Sequence, residues 1–118
     1  MLEKIREVSI LYDFYGELLP EKQREIFRMY HEDNYSLAEI GEDLGITRQG
    51  VHEAFKRACE RLIKYEEKLG LAEKFLNTEK AFSEIEIALQ DIISEYAEDT
   101  MIKARLLEIK KIITELNE

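Results

Sequence analysis

The sequence has no tryptophan, a single cysteine, a single proline and two histidines among its 118 residues. One cysteine cannot close an internal disulfide, so a reducing compartment is expected. No window approaches the eighteen or so apolar residues of a membrane span. The N-terminal stretch lacks the basic start and unbroken apolar run of a signal peptide. The expectation is a cytoplasmic chain without membrane association. Catalytic signatures are missing as well. There is no G-x-x-x-x-G-K phosphate loop and no H-E-x-x-H helix. Three residues before His31 and His52 stand Arg28 and Gln49, so there is no Glu-x-x-His pair of a di-iron bundle. Neither a metal nor a cofactor is expected, and the chain does not read as an enzyme. Cys59 reads as a small core residue, not a redox sensor.

What is present favours helices. Hydrophobic residues make up 45% and charged residues 36%. Helix formers dominate, and apolar–polar alternation at the strand period is scarce, so the expected class is all-α. All five glycines and Pro20 lie in the first 70 residues. That shift predicts a domain of short helices over 1–70 and a long amphipathic helical extension over 71–118. The formal net charge is −9, which repels phosphate at long range. The distribution is uneven, however. Residues 47–64 hold five basic and two acidic side chains, whereas 71–118 hold six basic and eleven acidic.

A first helix is predicted from about Glu3 to Tyr15, with Ile5, Val8, Leu11, Tyr12 and Tyr15 on one apolar face and Gly16 as its stop. Pro20 suits the first position of a second helix, with Ile26, Phe27 and Tyr30 inward. His31 and Glu32-Asp33-Asn34 read as loop. Ser36 with Glu39 three residues later is a capping box, opening a short helix with Leu37, Ile40 and Leu44 inward. Gly45 supplies a left-handed turn. Thr47 caps a helix from about Arg48 to Lys68 with Val51, Phe55, Ala58, Leu62 and Tyr65 inward, and Gly70 ends it. Beyond, Phe75, Phe82, Ile85, Leu89, Ile92 and Tyr96, then Ile102, Leu106, Ile109, Ile113 and Leu116, recur at heptad-like steps. They predict two helices joined at Asp99-Thr100, as an antiparallel hairpin or a partner surface. Asn77-Thr78 is a possible interruption of the first.

A helix-turn-helix asks for a small residue where its helices cross, a glycine about four residues later, and a buried branched residue about six beyond that. Gly41, Gly45 and Val51 meet these demands. With Val51 and Phe55 inward, Arg48, Gln49, His52, Glu53, Lys56 and Arg57 are the exposed side chains of the second helix. Arg48 and Gln49, at its leading end, are the candidates for base edges, since arginine pairs with guanine and glutamine with adenine. Lys56, Arg57, Arg61 and Lys64 are candidates for phosphates.

The stretch LPEKQREIFRMYHEDNYSLAEIGEDLGITRQGVHEAFKRACERL resembles the region-four domain of bacterial sigma factors. Its flanks, LYDFYGELLPEKQ and IKYEEKLGL, are similar to the YlxM family, small bacterial proteins encoded beside components of the signal recognition particle. The resemblance implies a DNA-binding regulator, with a role in the signal recognition particle pathway. It equally admits a module that binds the particle's protein or RNA and modulates it without reading DNA. The C-terminal heptads add the expectation of a homodimer. Gly41 stands where alanine is commoner in such motifs. Gly50, inside the second helix, is read either as an approach to DNA or as a tolerated cost of about 1 kcal/mol.

Overall fold

A computed structural model describes residues 2–117, with side chains from residue 7 onward; the predicted inward Ile5 lies outside the described side chains. Six α-helices make up the described residues, with no strand among them: α1 (Leu2–Tyr15), α2 (Glu21–His31), α3 (Leu37–Leu44), α4 (Arg48–Leu69), α5 (Leu71–Glu95) and α6 (Thr100–Leu116). The chain divides into two compact units, Met1–Ala72 and Glu73–Glu118.

The first unit is held by two adjoining apolar clusters. Leu11, Tyr15, Leu19, Phe27, Ala58 and Leu62 form one, with Val8, Tyr12, Cys59 and Tyr65 against it. Ile26, Met29, Ile40 and Val51 form the other, with Leu37, Leu44 and Ile46 against it. Phe55 packs on both. Its ring stacks on Phe27 at 5.3 Å, and Phe27 stacks in turn on Tyr12 at 4.6 Å. This three-ring pile joins α1, α2 and α4.

Several local readings change. Gly16 follows α1 and opens a single 3-10 turn, Gly16–Leu18. Its φ is not left-handed. Instead, a Cβ there would come within 2.8 Å of the Tyr12 ring, so any other residue would have to displace that ring from its stack on Phe27. Pro20 is the residue before α2, not its first helical one, with φ −53° and ψ 143°. Met29 is buried where Tyr30 was expected, and Tyr30 is largely exposed, its ring tilted against Phe55 at 4.8 Å. His31 closes α2 instead of lying in the loop. Its Nε2 shares a 2.7 Å hydrogen bond with Ser9 Oγ. Asn34 takes the left-handed turn that follows, at φ 57°.

One polar cluster seals the end of this unit. Tyr15 Oη donates to Glu66 Oε1 at 2.6 Å and accepts from the Leu71 N–H at 3.1 Å. Glu66 Oε1 also accepts from the Ala72 N–H at 3.1 Å. Two of the first N–H groups of α5, which no helix can satisfy internally, are thereby paired. Gly70, at φ 61°, makes the sharp turn that brings them there. Burial, the bond to Glu66 and that residue's charge push the Tyr15 phenol above its ordinary value.

In the second unit α5 runs unbroken through Asn77-Thr78. The Asp99 carboxylate caps α6 by accepting from the Met101 and Ile102 N–H groups. The hairpin is real: Lys110 Nζ donates to Gln90 Oε1 at 2.9 Å. The inner line differs from the expected one, because Ile93 is buried with Leu89 whereas Ile92 and Ile85 are exposed.

Tyr15→Phe keeps the ring but removes the hydroxyl that serves both Glu66 and Leu71. A loss of about 1–3 kcal/mol is expected. Thermal unfolding should record it as a fall of several degrees, while Tyr65→Phe, whose hydroxyl reaches only the Leu18 carbonyl at a long 3.3 Å, should change much less.

Candidate nucleic-acid interface

The interface candidate is built by a sharp turn between two capped helices. Ser36 Oγ accepts from the Glu39 N–H at 3.0 Å, and Glu39 Oε1 accepts from the Ser36 N–H at 3.3 Å, completing the capping box of α3. Gly45 ends α3 in the left-handed region at φ 71°. The Ile46 N–H then reaches back to the Gly41 carbonyl at 2.9 Å, the Schellman closure of a helix end. Thr47 Oγ1 caps α4 by accepting from the Gly50 N–H at 3.0 Å.

Gly41 sits at the tightest point. A Cβ on it would lie 2.7 Å from the Ile46 carbonyl oxygen. Glycine therefore lets the turn fold back against α3, which explains its presence where alanine is the commoner choice. Gly50 has an internal reason as well: a Cβ there would come within 3.2 Å of the capping Thr47 Oγ1.

Val51, Ala58 and Leu62 are fully buried and define the inward line of α4. Successive residues turn by about 100° around the axis. Gln49, Glu53, Lys56 and Lys64 therefore point most directly away from the core. Arg48 and His52 lie on one shoulder, and Arg57 and Arg61 on the other. All eight predicted residues are exposed, but they do not form one patch. The leading half of α4 presents a mixed surface of Arg48, Gln49, His52, Glu53 and Lys56. The trailing half gathers Arg57, Arg61 and Lys64.

Two residues join this arrangement that sequence reasoning did not include. Lys68 completes a groove of about 450 Å³ with Arg57, Arg61, Lys64, Glu60 and Tyr65. Its spacing of four from Lys64 was a usable signal. Lys22, at the start of α2, borders Arg57 across a smaller groove of about 280 Å³ floored by Ile46, Gly50 and Ala54. Nothing in the local sequence links Lys22 to Arg57, since the pairing comes from the packing of α2 on α4. Gln23 lines the same groove, its Oε1 buried without a hydrogen-bond partner.

Cys59 is half-buried against the first cluster. Burial chiefly, and the Glu60 charge next, push its thiol up to about 11. Among the described residues no group of His, Cys, Asp and Glu is placed to hold a metal ion. No helix there is long and apolar enough to cross a membrane.

The crossing at Gly41, the turn at Gly45 and the outward face of α4 define a helix-turn-helix protein. Residues 2–101 match the UPF0122 family, described as "Putative helix-turn-helix protein, YlxM / p13 like". The chain belongs to that family. It is 43% identical to the UPF0122 protein of Listeria welshimeri over 103 residues, covering 86% of this chain and 94% of that one. It is 46% identical to the UPF0122 protein of a Thermoanaerobacter species over 110 residues, 93% of each chain. With the UPF0122 protein of Caldanaerobacter subterraneus it shares 55% identity over 78 residues, 66% of this chain and 67% of that one.

Gly41→Ala gains helix propensity worth about 1 kcal/mol but forces backbone apart, which costs about 1–3 kcal/mol. A net loss of about 1 kcal/mol is expected, seen as a lower urea midpoint at unchanged slope; a raised midpoint would show that the turn yields freely. Cys59 should react with Ellman's reagent at pH 8 at least about tenfold more slowly than free cysteine, and at the free rate once the chain is unfolded.

Proposed function

We propose that this protein is a regulatory DNA-binding protein of the cytoplasm that lays the leading half of α4 in the major groove. The observation that carries the reading is the rotation of α4. The burial of Val51, Ala58 and Leu62, with Phe55 held in the ring pile, turns Arg48, Gln49, His52, Glu53 and Lys56 outward together. A recognition helix meets base edges chiefly with the residues of its leading turns, and the residues further along it lie nearer the phosphates. Arg48 and Gln49, at the leading end, are assigned to guanine and adenine edges. Glu53 suits a cytosine amino group. Lys56, Arg57, Arg61 and Lys64 are assigned to phosphates, with Lys22 and Lys68 beside them.

A second reading has one observation in its favour, the net charge of −9. An acidic chain is poorly suited to long-range capture of nucleic acid. On that reading the module binds the protein or the RNA of the signal recognition particle and modulates it.

Selection from a random-sequence duplex pool at low salt tests the first reading. An enriched motif is expected. Arg48→Ala and Gln49→Ala should each relax preference at one position, by about 1–3 kcal/mol per lost bidentate contact. Arg57→Ala, Arg61→Ala or Lys64→Ala should weaken all sites alike and reduce the salt slope by about 1. Absence of any enrichment removes DNA recognition. Capture of a signal recognition particle component from lysate that survives nuclease would then favour the second reading, through its protein.

A further inference from the structure

Glu73–Glu118 leaves most of its large apolar side chains exposed. α6 has no buried residue. α5 buries only Leu89 and Ile93 within this unit. Half-buried Phe82 continues the inner line of α5, and half-buried Leu106, Lys110 and Ile113 form that of α6. About a quarter-turn from the inner line, α5 carries Ala81, Ile85, Ala88 and Ile92, and Tyr96 continues the row just past its end. About a quarter-turn from its own inner line, α6 carries Ile102, Arg105, Ile109, Ile112 and Leu116. Both rows advance by alternating threes and fours, as a packed helical seam does. Each row is rotated from its inner line in the same sense along its own chain direction. Because α5 and α6 run antiparallel, that places both rows on one side of the hairpin. The unit is thus a two-helix layer with one apolar face from end to end.

We propose that a second copy of this chain covers that face, its hairpin stacking on the first to complete an antiparallel four-helix bundle. The area is sufficient. The seven large apolar residues of the two rows are between 37% and 69% exposed. They amount to on the order of 600 Å² per copy, or roughly 1,200 Å² for the pair, which reaches the range of stable interfaces. Charge selects the copy and its orientation. α5 carries six acidic and two basic residues, and α6 four basic and two acidic. Stacking α5 of one copy over α6 of the other sets opposite signs together, whereas α5 over α5 would set acid against acid. Arg105, standing inside the α6 row, would be stranded against a purely apolar partner. In a second copy Glu95, on the border of the α5 row and level with Arg105 in the register that pairs Gln90 with Lys110, supplies its counter-charge. This inference uses only Glu73–Glu118 and is independent of any reading of α4.

Sedimentation of the full-length chain from about 1 to 100 µM tests it. The expected mass is twice the 14.0 kDa of the chain. Ile109→Glu and Ile112→Glu should each return the monomer mass. Ile87→Glu, 61% exposed on the far side of α5, should leave the dimer intact and controls for loss of fold, with far-UV circular dichroism recorded on every variant. Arg105→Glu should weaken association at least about tenfold, and adding Glu95→Lys should restore it. A wild-type chain that stays monomeric throughout the range overturns the proposal, even if another protein or a lipid vesicle binds the face. So does a dimer indifferent to Ile109→Glu and Ile112→Glu, or one that Ile87→Glu abolishes equally.

Discussion

The approach of the α3 backbone to the turn at Gly41 governs what the first unit presents to solvent. With a hydrogen atom where a methyl would stand 2.7 Å from the Ile46 carbonyl, the chain can reverse within three residues. α4 then starts against α3, not beyond it. Gly45 at φ 71° and the Ile46-to-Gly41 hydrogen bond complete the reversal. Once α4 starts there, the burial of Val51 against Ile26, Met29 and Ile40 sets its rotation. Every exposed side chain from Arg48 to Lys68 takes its direction from that contact. The outward face of α4 follows from close packing elsewhere, and a packed interior does not deform continuously to suit a surface.

The parts of this architecture that were legible in the sequence are those set by residues near one another in the chain. The capping box at Ser36 and Glu39, the left-handed turns at Gly45 and Gly70, the Thr47 cap and the inward line of α4 all rest on spacings of three or four. Local chemistry also made the triplet of Gly41, Gly45 and Val51 readable. What escaped depends on contacts between distant segments. Tyr30 and Met29 differ by one position on α2, and the placement of Ile40 and Val51 against that helix decides which is covered. Lys22 became a neighbour of Arg57 through the packing of two helices. In the C-terminal unit the heptad period was plain, but a row wide enough for two partners does not reveal which half of it meets the neighbouring helix. Hence Ile93, not Ile92, is buried.

The Tyr15–Glu66 cluster illustrates the same limit in polar form. Neither residue carried a signal, because a tyrosine on an apolar face and a glutamate near a helix end are both ordinary. Together they occupy the turn after α4 and give the first N–H groups of α5 partners that solvent would otherwise supply. Burial first, and then the bond to a carboxylate, favour the neutral phenol over the charged one, which accounts for the direction in which Tyr15 is shifted. The arrangement closes the first unit with hydrogen bonds at the point where its apolar clusters run out.

Acidity and a helix-turn-helix are compatible once charge is considered by location. The net charge of −9 sets the field around the chain out to about a Debye length, where it slows capture of any polyanion. At contact, the side chains of α4 decide: Arg48 and Lys56 with Glu53 on its leading half, and Arg57, Arg61, Lys64 and Lys68 with Glu60, Glu66 and Glu67 on its trailing half. A strongly basic helix binds duplexes indiscriminately, because phosphate contacts carry no sequence information. On the proposed reading, the overall charge would suppress that background. Affinity surviving it would come from groups such as Arg48, Gln49 and Glu53, whose hydrogen bonds would differ from base to base. A polar leading face on an acidic chain would then raise the ratio of specific to non-specific binding.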